Sequence, residues 1–147
     1  MIQIRCVVEN NPLPDTDFRA EHGVAFHIQT PAGQVLFDTG ESGDVLLHNA
    51  RLLDIDLGAV DAIAISHAHN DHTWGLPHVL PLIRPNVPLY ANADLFRPRY
   101  SGDDRKSVGI AMPREELAAA VHLRLSDEPT EMIPGVWTTG AITDRPY

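Results

Sequence analysis

The stretch Val60-Asp-Ala-Ile-Ala-Ile65-Ser-His67-Ala-His69-Asn-Asp71-His72 decides the fold. Its opening run is apolar apart from Asp61 and reads as a strand covered on both faces. Thr73-Trp-Gly-Leu-Pro77, directly after it, reads as the start of a helix that tolerates Pro77 in its first turn. The polar residues between them sit at a strand-to-helix junction, where α/β folds carry their chemistry. In extended chain, residues two apart point the same way, so His67 and His69 are able to grip one ion together. Asp71 and His72 come as the chain turns into the helix and diverge from that first pair. Imidazoles with a carboxylate make a nitrogen and oxygen donor set that suits zinc, as one or two ions, and also iron or manganese.

Outward from this junction, residues 2–8 read as a first strand, with Cys6 buried on one face beside Ile4 and Val8 as a small apolar residue. Residues 10–21 form a loop punctuated by Pro12 and Pro14. Residues 23–29 and 34–37 pair as a hairpin around Thr30-Pro-Ala-Gly33. Ser42 caps a helix running to about Leu53, with Val45, Asn49 and Leu53 spaced for one face. Leu76, Val79, Leu80 and Ile83 give the next helix an apolar stripe, and residues 87–90 make a short strand. Residues 91–116 read as an irregular insertion over the site, with a helical turn after Asn92. Residues 121–125 and 136–139 read as strands of an outer sheet, and the whole chain, 1–147, as one domain.

The net charge of −9 counts against a nucleic-acid backbone as partner and leaves a small-molecule substrate. No apolar run is long enough to span a bilayer and no leader pattern opens the chain, so no membrane role is expected and a cytoplasmic location follows by default. A lone Cys6 makes no internal disulfide, and oligomeric state is not fixed by the sequence. Arg97, Arg99, Arg105 and Lys106 read either as a binding face for an anionic substrate such as a phosphate, or as solvated surface. Trp74 either walls the metal pocket or packs beneath the loop. His27 takes a sheet position, His48 lies on the helix surface with Asn49 toward the site, His78 is exposed, and His122 has no role.

Ser66-His-Ala-His-Asn-Asp-His-Thr-Trp-Gly-Leu76 resembles the signature loop of the metallo-β-lactamase superfamily. Val35-Leu-Phe-Asp38-Thr39-Gly40 resembles that family's earlier strand ending in Asp-Thr-Gly. Glu21-His22-Gly23, Leu47-His-Asn-Ala50 and Val136-Trp-Thr-Thr-Gly140 resemble a subgroup labelled 7,8-dihydropterin-6-methyl-4-(β-D-ribofuranosyl)-aminobenzene 5′-phosphate synthase-like. The resemblance implies an α/β fold that forms part of an αββα sandwich. It implies a metal-dependent hydrolase that turns activated water on an ester, lactone, amide or phosphoester. His67, His69, Asp71 and His72 are the implied metal ligands, and Asp71 also serves catalysis by orienting the attacking water. Asp38 is implied to lie beneath the loop and hold it by hydrogen bonds, the alternative being a turn aspartate bonded to its own backbone. His22 fits equally a substrate-binding place at the pocket mouth or an exposed loop.

The same resemblance implies two similar halves, the second supplying further His and Asp ligands. After His72 the chain offers only His78 and His122, so it is expected to be the N-terminal part of such a domain, lacking most of the second half. A metal-binding but catalytically incomplete half-domain is therefore another reading, and the subgroup label points to a third, a pterin- or phosphoribosyl-linked synthase. Asn70 after His69, and the absence of a Glu two residues before Asp71, count against a redox role.

Overall fold

The computed structural model describes residues 1–142. β1 (Gln3–Val8), β2 (Ala25–Thr30) and β3 (Gly33–Phe37) run antiparallel, and α1 (Asp44–Leu52) then leads to β4 (Ala62–Ala64). The short helices α2 (Asn70–Thr73) and α3 (Leu76–Val79) lead to β5 (Pro88–Ala91). A two-stranded ribbon, β6 (Tyr100–Ser101) and β7 (Lys106–Ser107), precedes α4 (Arg114–Ala120) and β8 (His122–Leu125). A last hairpin pairs β9 (Glu131–Ile133) with β10 (Val136–Trp137). The main sheet is six-stranded, in the order β1-β2-β3-β4-β5-β8. From β3 onward its neighbours are parallel, because each crossover carries a helix.

The period-two alternation of the strands separates two apolar faces. Leu36, Ile63 and Leu89 are register partners and face the helices, packing with Leu46, Leu76, Val79 and Leu117. Val35, Ala62 and Ala64 face the other way, where Ile133, Met132 and Val136 of the last hairpin cover them. All of β4 is buried, as expected of a strand with cover on both faces. Cover ends short of β1, where Ile4 is 66% exposed. No helix among the described residues is long and apolar enough to cross a membrane.

Several expectations need correcting. Cys6 is exposed rather than buried, because it shares the uncovered face of β1 with Ile4. Gly43, not Ser42, is the cap of α1, and the buried face of that helix is Leu46, Asn49 and Ala50. Asn49 turns away from the metal loop: its Nδ2 donates to the carbonyls of Val7 (2.7 Å) and Arg19 (2.8 Å), and its Oδ1 accepts from Arg19 N. With His48 Nε2 bonded to the Asp17 carbonyl at 2.8 Å, these two residues pin the loop 10–21 to the helix. The supposedly irregular residues 91–116 contain the β6–β7 ribbon and the start of α4. β8 belongs to the main sheet, not an outer one.

Candidate metal centre

The parallel strands bring their C-terminal ends to one edge of the sheet, and the loop that carries His67, His69, Asp71 and His72 leaves β4 there. Asp38 follows β3 at φ 56, a left-handed conformation that aspartate tolerates. Its backbone N–H donates to the Ala64 carbonyl at 2.8 Å, which stitches the ends of β3 and β4 together. The carboxylate is completely buried and accepts three hydrogen bonds. Ser66 N donates to Oδ1 (2.8 Å), while Ser66 Oγ and His72 Nδ1 donate to Oδ2 (2.7 Å each). Asp38 thus lies directly beneath the loop and bonds to it, not to its own turn.

These bonds assign the tautomers. Ser66 has one hydroxyl proton and gives it to Asp38, so Ser66 Oγ accepts from His67 Nδ1 at 2.9 Å. His67 Nε2 is then left with its lone pair, 3.0 Å from His69 Nδ1. His72 donates through Nδ1, which leaves its Nε2 lone pair 3.3 Å from Asp71 Oδ2. The His67 and His72 rings stand 4.1 Å apart between centroids, so the two donor pairs are adjacent. Two donors on one tetrahedral zinc, each about 2.0–2.1 Å from the ion, are roughly 3.3–3.4 Å apart, so both pairs are close to the spacing of two vertices. The donors come as pairs: among the described residues no three His, Cys, Asp or Glu side chains form a ready-made cage.

The electrostatics differ between the pairs. Burial, then the neighbouring His72 and His69, push the His67 pKa down and keep that ring neutral. Burial also works to lower His72, but the Asp38 hydrogen bond and the charges of Asp38 and Asp71 together outweigh it, and its pKa is raised.

Asp71 and His72 are themselves helical, on α2, which starts at Asn70 and not at Thr73 as the sequence suggests. The Asp-Thr-Gly turn clasps this helix: Thr39 N and Thr39 Oγ1 both donate to the His72 carbonyl at 2.9 Å, and Gly75 N donates to the Gly40 carbonyl at 3.2 Å. A Cβ on Gly75 would collide with the Thr39 carbonyl oxygen, so this close approach requires glycine. Trp74 stands outside the hydrophobic core; its Nε1 donates to the Gly109 carbonyl at 2.9 Å and ties that segment to the loop.

His22 is brought to the site, its Nε2 3.4 Å from Asp71 Oδ2. The basic group disperses. Arg99 lines a cavity of about 690 Å³ that opens beside Ser66 and His67 and is also walled by Asn92, Arg124 and Trp137. Arg97 lies outside that lining and pairs with Asp94 at 3.4 Å, and Arg105 stacks on Tyr100. Ser66, Thr39 and Glu21 were given no role of their own from sequence. The only signal for Ser66 and Thr39 was their place inside the two motifs.

The sequence pattern of the metallo-β-lactamase superfamily matches residues 19–142, and the chain belongs to that superfamily. A 7,8-dihydropterin-6-methyl-4-(β-D-ribofuranosyl)-aminobenzene-5′-phosphate synthase of Methanocaldococcus jannaschii is 28% identical over 154 residues, covering 98% of this chain and 52% of the relative. The chain spans about half the length of the curated relatives it matches. Among solved structures, Tm1679, described as a metal-dependent hydrolase of the β-lactamase superfamily, is 28% identical with a TM-score of 0.70, over 89% of this chain and 44% of that one. The Rm3 metallo-β-lactamase, 19% identical, shares the fold at a TM-score of 0.53 over 82% of this chain and 45% of its own.

Proposed function

We propose that this chain carries the metal-binding part of a metal-dependent hydrolase, with His67 and His69 as one donor pair and Asp71 and His72 as the other. The observation that carries this reading is the alignment of two donor pairs, 3.0 and 3.3 Å apart, above a buried carboxylate that fixes the tautomer of His72. Superfamily membership and the likeness to Tm1679 support it. A divalent ion held there, zinc in the first instance, supplies Lewis acidity and makes water nucleophilic near neutral pH.

The chain's own residues have distinct tasks. Asp38 holds the Nδ1 proton of His72 and so keeps Nε2 available as a donor. Ser66 does the same for His67 by accepting its Nδ1 proton. Asp71 accepts a hydrogen bond from the attacking water and orients it. The cavity beside His67 admits a small molecule; Arg124 on its wall, and Arg99 through the N–H groups not already given to the Asp94 and Arg97 carbonyls, offer donors to an anionic group. With a net charge of −9, such a substrate fits better than a nucleic acid.

The test is elemental analysis of the purified chain, paired with turnover of ester, lactone, amide and phosphodiester substrates. The reading expects bound zinc, hydrolysis of at least one class, and loss of both in His67→Ala. Equal metal content in the wild type and His67→Ala contradicts it. A second reading, a synthase acting on a pterin- or phosphoribosyl-linked compound, is favoured by the 28% identity to the archaeal synthase across 98% of this chain. Bound zinc without turnover of any hydrolase substrate selects that reading, or the catalytically incomplete half-domain.

A further inference from the structure

One row of side chains crosses the sheet along the cavity beside His67. Phe37, Ala64, Tyr90 and Arg124 are successive register partners on β3, β4, β5 and β8, so they share one face. All four line the cavity, as do Met132, Val136 and Trp137 of the last hairpin. We propose that this cavity takes a substrate with an apolar, aromatic body and one anionic group, held by Arg124 away from the bond that reacts beside His67. The proposal deepens the hydrolase reading above and rests on it for the reacting end alone.

Three observations carry it. The first is which donors are open to a ligand. A hydroxyl has one proton to give. The hydroxyls on the wall, those of Ser66, Tyr90, Ser126, Thr130, Thr138 and Thr139, all donate within the protein, at 2.7–3.5 Å. Arg99 is anchored through Nη1 to the carbonyls of Asp94 and Arg97. Asp94, the one carboxylate on the wall, pairs with Arg97. Arg124 is exposed and, among the described residues, has neither a hydrogen bond nor an ion pair. A guanidinium with all its N–H groups open is a bidentate receptor for a carboxylate or a phosphate.

The second observation is the wall between the two ends. Ala64, the small member of the row, stands between Phe37 and Tyr90, and the Trp137 ring is 58% exposed. With the hydroxyl protons turned into the protein, this stretch offers a ligand apolar contact and aromatic rings. The third is span. Strands lie about 4.8 Å apart, so Arg124 is on the order of 10 Å across the sheet from Ala64, two residues before Ser66. An anion at Arg124 is therefore a separate handle of the substrate, joined to the reacting end by a body about as long as two linked rings.

The experiment is titration calorimetry of the chain with biphenyl-4-carboxylate and with its neutral analogue biphenyl-4-carboxamide, which keeps the apolar body. Wild type, Arg124→Gln and Arg124→Lys are compared as purified and after EDTA, with circular dichroism to check folding. The wild type is expected to favour the carboxylate by about 10–100-fold, as for hydrogen bonds to a charged group. Arg124→Gln should erase that preference while still binding the amide, and Arg124→Lys should keep part of it. EDTA should leave the preference intact, since Arg124 and not a metal holds the carboxylate. Equal affinity for the two probes, or no binding of the carboxylate, overturns the proposal without recourse to a variant. A preference that survives in Arg124→Gln, or that vanishes with EDTA, overturns it as well. An anion preference at Arg124 without turnover of any hydrolase substrate removes the hydrolase reading and leaves the ligand class of the cavity standing. Turnover without the preference removes only the present proposal.

Discussion

His72 Nδ1 lies 2.7 Å from Oδ2 of Asp38, a carboxylate with no exposure to solvent. One buried charge therefore sets the direction of the one imidazole that the helix α2 presents beside Asp71. Asp38→Asn keeps the shape and tolerates the left-handed backbone at φ 56, but removes that charge. Zinc affinity is expected to fall about 10–100-fold with the fold intact. Asp38→Ala also strands the Ser66 N–H and should cost about 1–3 kcal/mol of stability in addition. Unchanged zinc affinity in Asp38→Asn, measured by chelator competition, would remove Asp38 from the site.

Gly75 tests the clasp between the Asp-Thr-Gly turn and the helix α2. Its φ of −72 suits any residue, so the effect of Gly75→Ala is purely steric, against the Thr39 carbonyl. A loss of about 1–3 kcal/mol in urea unfolding is expected, as for overpacking elsewhere. An unmoved midpoint would mean that the two loops are not held in contact.

The opposite shifts of His67 and His72 give a pH signature. His72 has a folded pKa above its unfolded value of about 6.5. In metal-free protein its contribution to stability is full below about pH 6.5 and is lost as pH rises through the raised value. Zinc requires the neutral ring, so affinity should climb through that same window. His67, whose pKa is lowered, is already neutral there. Unfolding midpoints of metal-free wild type and His72→Gln should converge as pH rises, and a gap that widens with pH would reverse the sign of the account.

Cys6 offers a check on the outer face of β1. Its thiol is exposed, and burial together with Glu9 raises its pKa. One thiol per chain should react with a disulfide reagent without denaturant, more slowly than free cysteine and faster as pH rises. A requirement for denaturant would mean that this face is covered.

How far the sequence reaches depends on whether a feature is local. The β2–β3 hairpin and the buried β4 were legible because alternation and turn residues are read within a few positions. The His67–His69 pairing followed from strand periodicity alone. Cys6 was misread because the exposure of an edge-strand face is set by what packs over it, far away in sequence. Asn49 was misdirected for a similar reason, since its partners Val7 and Arg19 lie in other elements. The approach of His22 to Asp71 rests on Gly23, whose role shows only once the two loops meet.

The most direct measurement is a crystal structure of the zinc-loaded chain with anomalous data collected at the zinc edge. The account predicts anomalous peaks within about 2.0–2.2 Å of His67 Nε2 and His69 Nδ1, and of Asp71 Oδ2 and His72 Nε2. Asp38 should remain bonded to His72 beneath them. Zinc bound away from both pairs, or no zinc in crystals grown with excess metal, would contradict it.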